Sequence, residues 1–256
     1  SSSLVSCDNI DADDRYIEVD AVKAERVVLI EDFTGQNCVN CPDAHAVIEG
    51  LEQQYGDHIV AVSIHGGKFA IGREKTQFEY DYIGLGTPEG EYFNSLYNFN
   101  SWPQGIINGR TTTDQFATWP TIVRAELERP AVLSIDLEAT YDKGTNDINI
   151  DVELMPQEDI KGELVVWVLE SGIVARQRSQ SAGLIADYVH NNVFRAAVNG
   201  NDGTQVSLTK DIHQKSSFSI ALRDNNEEKW NPENLSVVAF VKGSDGVYQT
   251  AKVPVL

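Results

Sequence analysis

The chain has 256 residues, with 20 Lys and Arg against 39 Asp and Glu, and a formal net charge of −19. That balance repels a phosphate backbone, and no basic cluster offsets it, so nucleic acid is not an expected partner. Hydrophobic residues make up 41% of the chain, enough for two cores, and no run of about 18 apolar residues appears that would cross a membrane as a helix.

In chain order, the first feature is Cys7, one of three cysteines with Cys38 and Cys41. An odd count in an exported protein leaves one thiol to explain. Leu4-Val5-Ser6-Cys7 resembles the lipobox of bacterial lipoproteins, which implies cleavage before Cys7 and lipid on its thiol, with Ser1–Ser6 as the tail of a signal peptide. The acidic run Asp8–Asp14 has no hydrophobic period and reads as a tether.

The first strand is expected over Arg26–Phe33, where Val27-Val28-Leu29-Ile30 suits burial on both faces. Thr34–Asn37 breaks it, and Cys38-Val39-Asn40-Cys41-Pro42 leads into a helix with Ala44, Val47, Ile48, Leu51 and Tyr55 at helical spacing. Gly56 ends that helix and Ile59–Ile64 is the next buried strand, giving a βαβ unit with CxxC at its first turn. Gly66–Gly86 has no clean period and reads as an inserted loop with short helical pieces. Thr87-Pro88-Glu89 is a helix start, and Trp102–Arg110 a strand closed by an Asn-Gly turn. Pro120 opens a last helix that ends at Arg129-Pro130. Beyond Pro130 the period becomes two, as in Leu133, Ile135, Leu137, Ala139 and in Ile148, Ile150, Val152, Leu154. Together with the apolar runs Leu164–Leu169 and Leu235–Val241 and the final strand Val247–Val253, this argues a β-sandwich.

Two thiols on the first turn of a helix can close a small disulfide ring. The helix dipole and free N–H groups favour a thiolate on the first of them. Cys38 is therefore the candidate nucleophile, expected to be the more exposed, and Cys41 the resolving thiol. A zinc set of Cys38, Cys41 and His45 lacks a fourth ligand, so no metal is assigned. Covalent haem needs His where Pro42 stands, and no other cofactor is called. A purely structural disulfide at these positions is the competing reading.

Val28-Leu29-Ile30-Glu31-Asp32-Phe33 followed by Cys38 resembles the strand before the thioredoxin motif, and the resemblance covers Val27–Arg129. It implies that Asp32, six residues before Cys38, is the buried acid that moves a proton at the resolving thiol. It further implies that Pro103 is a cis-proline and that the backbone of Trp102 pairs with substrate. Asn37 and Pro42 depart from the usual thioredoxin residues. The lipobox, Asp14–Ile17, Glu31–Pro42 and Tyr188–Arg195 are together similar to the outer-membrane-protein-28-related lipoproteins. That similarity implies an outer-membrane location, periplasmic or surface-exposed.

The expected organisation is a lipobox remnant and tether over 1–22, a thioredoxin-like α/β domain over 23–130 and an all-β, immunoglobulin-like sandwich over 131–256. The expected function is thiol–disulfide exchange on envelope proteins, through Cys38 and Cys41. A cell-surface binding protein or adhesin, in which the disulfide is only structural, is the alternative.

Overall fold

A computed structural model describes residues 25–256. Cys7 and the acidic tether lie outside the described residues. The strands are β1 Val28–Thr34, β2 Ile59–His65, β3 Gln104–Ile107, β4 Thr111–Thr113, β5 Leu133–Asp142, β6 Asp147–Pro156 and β7 Ile160–Glu170. They continue with β8 Ile173–Ser179, β9 Gly183–His190, β10 Val193–Ala197, β11 Thr204–Leu208, β12 Gln214–Ala221, β13 Leu235–Gly243 and β14 Gly246–Pro254. The helices are α1 Cys41–Tyr55, α2 Pro88–Ser95 and α3 Trp119–Leu127.

Local chemistry sets the element ends. Pro42 sits in the first turn of α1, and Gly56 closes it at φ 54°, a conformation that suits a residue without a Cβ. Thr87 caps α2 by accepting a hydrogen bond from the Gly90 N–H at 3.0 Å. Asn108 and Gly109 both have positive φ and turn β3 into β4. The 66–86 segment contains two short 3-10 turns, at Arg73–Lys75 and Phe78–Tyr80.

One large sheet runs β14-β13-β7-β10-β2-β1-β3-β4, with β11 also paired to β7. Its β1–β2 and β2–β10 pairs are parallel and the others antiparallel. The sheet therefore continues from the N-terminal segment into the C-terminal one, across residue 130, at the β2–β10 edge. The chain is mostly β-sheet with a few helices. Its N-terminal region is a mixed sheet and its C-terminal region contains sandwich-like sheets.

Period two explains how β7 and β13 are buried on both faces. Leu164, Val166, Val168, Val237, Ala239 and Val241 pack against the small sheet β12-β6-β5, through Leu133, Ile148, Ile150 and Leu154. Val165, Trp167, Leu169, Val238 and Phe240 face the other way and join Leu29, Phe33, Val62 and Phe93. On the opposite face of β1, Val28 and Ile30 pack with Ala44, Ile48 and Leu51 of α1 and with Trp119 and Val123 of α3. A Cβ at Gly105 would collide with the Trp119 indole, so glycine there lets α3 lie close on the sheet.

A buried ion cluster joins the 66–86 segment to the sandwich. Arg195, 3% exposed, lies 3.2 Å from both Glu170 and Glu228, and Glu228 also takes Arg73 at 2.7 Å and Arg223 at 2.8 Å. Burial lowers the Arg195 pKa, against the raising effect of the two carboxylates.

Candidate functional site

Cys38 and Cys41 form a disulfide where the turn after β1 enters α1. Cys38, at 2% exposed, is more accessible than Cys41, at 0%, in the order expected, but both thiols are buried. The cause is a cover that sequence period did not reveal. Strands β8 and β9 form their own two-stranded sheet, and β8 lies along the CxxC turn. Arg178 N–H donates to Gln36 O at 2.8 Å and Gln180 N–H to Val39 O at 2.9 Å. Just before them Gln177, fully buried, sets its amide nitrogen 3.2 Å from Gly35 O and 2.9 Å from Cys38 O. Gln36 completes the seam, donating to Ile83 O and Arg176 O while accepting from Leu85 N–H.

The other side of the turn is walled by the 66–72 segment. Asn37 N–H donates to Phe69 O at 2.9 Å, and a Cβ on Gly35 would collide with the Phe69 backbone. Phe69 packs edge-on against Trp102 at 5.5 Å, with the Lys68 ammonium over both rings. The Trp102–Pro103 peptide is cis. Register pairs Gln104 with Phe33, which sets Pro103 beside Thr34, at the end of β1 that leads into the CxxC turn.

Beneath the disulfide lies a polar chain. Asp32 on β1 is 0% exposed, and neither of its oxygens makes a hydrogen bond. Its Oδ2 lies 3.3 Å from Nε2 of His45, one turn beyond Cys41 on the same face of α1. Thr34 Oγ1 is 3.1 Å from the same nitrogen, and Tyr188 OH of β9 is 2.9 Å from His45 Nδ1. Burial first, then the charges of Glu49 and Asp32, push the Tyr188 phenol up to about 12. It therefore stays protonated and can donate to His45 Nδ1.

Tyr188 packs on His190 at 4.8 Å, and His190 on His65 at 5.6 Å. These rings, with His45, Ser63 and Asn192, border a cavity of about 30 Å³, room for a water. Burial pulls the His190 pKa down to about 3 and holds His65 well below the usual imidazole value, so both rings are neutral near pH 7. Among the described residues no group of three or more His, Cys, Asp or Glu side chains is arranged to hold a metal ion.

Sequence reasoning weighed His45 only as a metal ligand and missed Gln177 and the cover altogether. The usable signal was Tyr188–Arg195, singled out as a motif. Its Tyr188 and His190 reach this site, and its Arg195 centres the ion cluster.

The fold and site define a class: a mixed α/β protein that carries a covered CxxC disulfide at a helix start, with sandwich-like sheets following it. Within that class the chain belongs to the Omp28 family, since the family's sequence model, described as outer membrane protein Omp28, matches residues 91–255. Membership places it at the outer membrane. Among the described residues no helix is long and apolar enough to cross a membrane. No curated protein matches the chain. Among solved structures it is similar to a domain of the outer membrane lipoprotein Omp28 from Porphyromonas gingivalis, at 23% identity and TM-score 0.35, over 49% of this chain and 88% of that one. It is also similar to a protein from Agrobacterium tumefaciens, at 14% identity and TM-score 0.52, over 90% of this chain and 95% of that one, a likeness of fold.

Proposed function

We propose that Cys38 and Cys41 form an exchangeable disulfide in a thioredoxin-like domain over 23–130, covered at rest by β8–β9, that reacts with disulfide-containing envelope proteins. The observation that carries this reading is the Asp32–His45 pair on the Cys41 face of α1. A buried carboxylate whose one partner is an imidazole 3.3 Å away is costly, and packing alone gives no reason to keep it. Paired to the face of α1 that carries the resolving thiol, it has a task. The reduced Cys38 thiolate attacks one sulfur of a substrate disulfide, and the other substrate sulfur leaves and takes a proton. Cys41 then gives its proton to Asp32 and attacks Cys38 Sγ. The Cys38–Cys41 bond forms as the Cys38–substrate bond breaks, the released sulfur takes the proton held by Asp32 and the substrate leaves as a dithiol; a donor dithiol, itself oxidised to a disulfide, reduces the pair again. Trp102 and Pro103 stand at the end of the turn where an incoming chain would lie, and lipid on Cys7 would hold the protein at the membrane.

Trapping tests the reading. Cys41→Ser should accumulate mixed disulfides through Cys38 with envelope proteins, while Cys38→Ser should accumulate few. No adduct from Cys41→Ser would reject exchange. The near-complete burial of both sulfurs favours a second reading, a binding protein with a structural disulfide, and that result would leave it standing.

A further inference from the structure

Glu31 neighbours Asp32 on β1 and so faces the opposite side of the sheet. There a cavity of about 300 Å³ opens between α2 and the sheet. Its walls are aromatic: Phe33 of β1, Phe93 of α2, Tyr97 just past α2, Trp167 of β7 and Phe240 of β13. Two groups in it lack partners. Trp167 is 3% exposed and its indole N–H has no hydrogen-bond acceptor. The half-buried Glu31 carboxylate makes no hydrogen bond or ion pair among the described residues; Lys242 is the opposite charge that acts on it. The other acids at the rim are engaged, Asp202 by the Tyr92 hydroxyl at 2.8 Å and Glu163 by the Gln205 amide at 2.9 Å.

We propose that this cavity binds a small organic cation, an amine with an apolar or aromatic body, its ammonium set against Glu31 and the surrounding ring faces. Aromatic walls attract a cation through their quadrupoles, and one carboxylate among them fixes where the charge sits. Three acids against one lysine disfavour an anion, and a neutral guest leaves Glu31 unpaired. The volume is at the small end for ligand sites and admits one ring with a short chain rather than a folded partner. An acceptor atom on the guest would also satisfy the Trp167 N–H. The site is independent of any exchange at Cys38.

The groups facing Glu31 set a pH signature. Lys242, Glu163, Asp202 and Tyr97 line the same cavity. Burial, opposed by Lys242, raises the Glu31 pKa to about 7. Burial, with Glu31 adding, raises Tyr97 to about 12, so its phenol stays neutral. A cation selects ionised Glu31, so its affinity falls as pH drops below about 7, and binding there releases a proton.

The test is calorimetric titration of the full chain with phenethylammonium, 3-phenylpropionate and 2-phenylethanol, which share a body and differ in charge. The cation should bind at least tenfold more tightly than either analogue and weaken severalfold between pH 8 and pH 6. Glu31→Gln should cost at least tenfold, whereas Lys242→Met, which removes the competing ammonium, should strengthen binding at pH 8.5, well above the range in which Glu31 takes up a proton. Equal affinity for the three probes, binding by none of them, or indifference to Glu31→Gln overturns the proposal. If circular dichroism shows Glu31→Gln misfolded, Lys242→Met and the pH series decide: no gain and no pH dependence overturn it equally.

Discussion

Replacing Gln177 by Ala tests the cover directly. The Gln177 amide lies within hydrogen-bond distance of Gly35 O and Cys38 O, both on the far side of the seam, and of its neighbour's Arg178 O. Only the first two hold the hairpin to the CxxC turn. At about 1 kcal/mol net for each hydrogen bond, their loss lowers the cost of lifting β8–β9 by about 2 kcal/mol. That is roughly a thirtyfold rise in the open population, since about 1.4 kcal/mol is a factor of ten. The backbone bonds from Arg178 and Gln180 remain, so the hairpin still closes. The assay is dithiothreitol reduction under native conditions, quenched by alkylation and read by mass spectrometry at Cys38 and Cys41. Where reduction is slower than closing, its rate follows the open population, and Gln177→Ala should react tens of times faster than the parent. Equal rates, with both proteins folded, would show that β8–β9 does not control access.

Three further outcomes follow from the same geometry. Arg195→Met should lower unfolding free energy by about 3 kcal/mol in urea titration, because it strands the buried Glu170 carboxylate while Arg73 and Arg223 still hold Glu228; a loss below about 1 kcal/mol would remove the cluster's structural role. His65 and His190 have native pKa values depressed below those of the unfolded chain. As pH falls from about 6.5 toward 3 the unfolded state therefore gains protons that the native state refuses, and stability drops. His190→Gln should lose less stability than the parent between pH 7 and pH 5 in urea melts, and an identical slope would contradict the assignment. Cys7, outside the described residues, is tested by expressing the precursor in its native host: Cys7→Ser should lose detergent partitioning and lipid, and unchanged membrane association would reject the lipobox reading.

Much of the architecture was legible because it rests on local chemistry. The strands before and after α1, the Thr87 cap, the Asn108-Gly109 turn and the alternating β5 and β6 announce themselves by period and by turn residues. The continuous run Leu164–Leu169 signalled burial on both faces, but not that one face meets a sandwich sheet and the other meets Phe93 of α2. That division depends on β10 pairing with β2, a long-range contact with no local mark. Strand β8 escaped for a different reason. Its inward residues are Ala175, Gln177 and Ser179, so two of the three are polar. They are buried by hydrogen bonds to the turn they cover rather than by hydrophobicity, and no apolar period betrays them. The cysteines were readable from their spacing, and Asp32 only through the resemblance to the thioredoxin strand. The route from Asp32 through His45 to Tyr188 was not, since it joins residues 143 positions apart.

The central claim, that Cys38–Cys41 is exchangeable within the folded protein, meets its most direct test in redox equilibration. The full chain is incubated in a series of reduced and oxidised glutathione mixtures without denaturant. The state of Cys38 and Cys41 is read by alkylation and mass spectrometry, and the fold by near-ultraviolet circular dichroism. The account predicts one reversible two-electron transition, reached from both the oxidised and the reduced side, with the tertiary signal retained throughout. A disulfide that yields only as that signal collapses would contradict it.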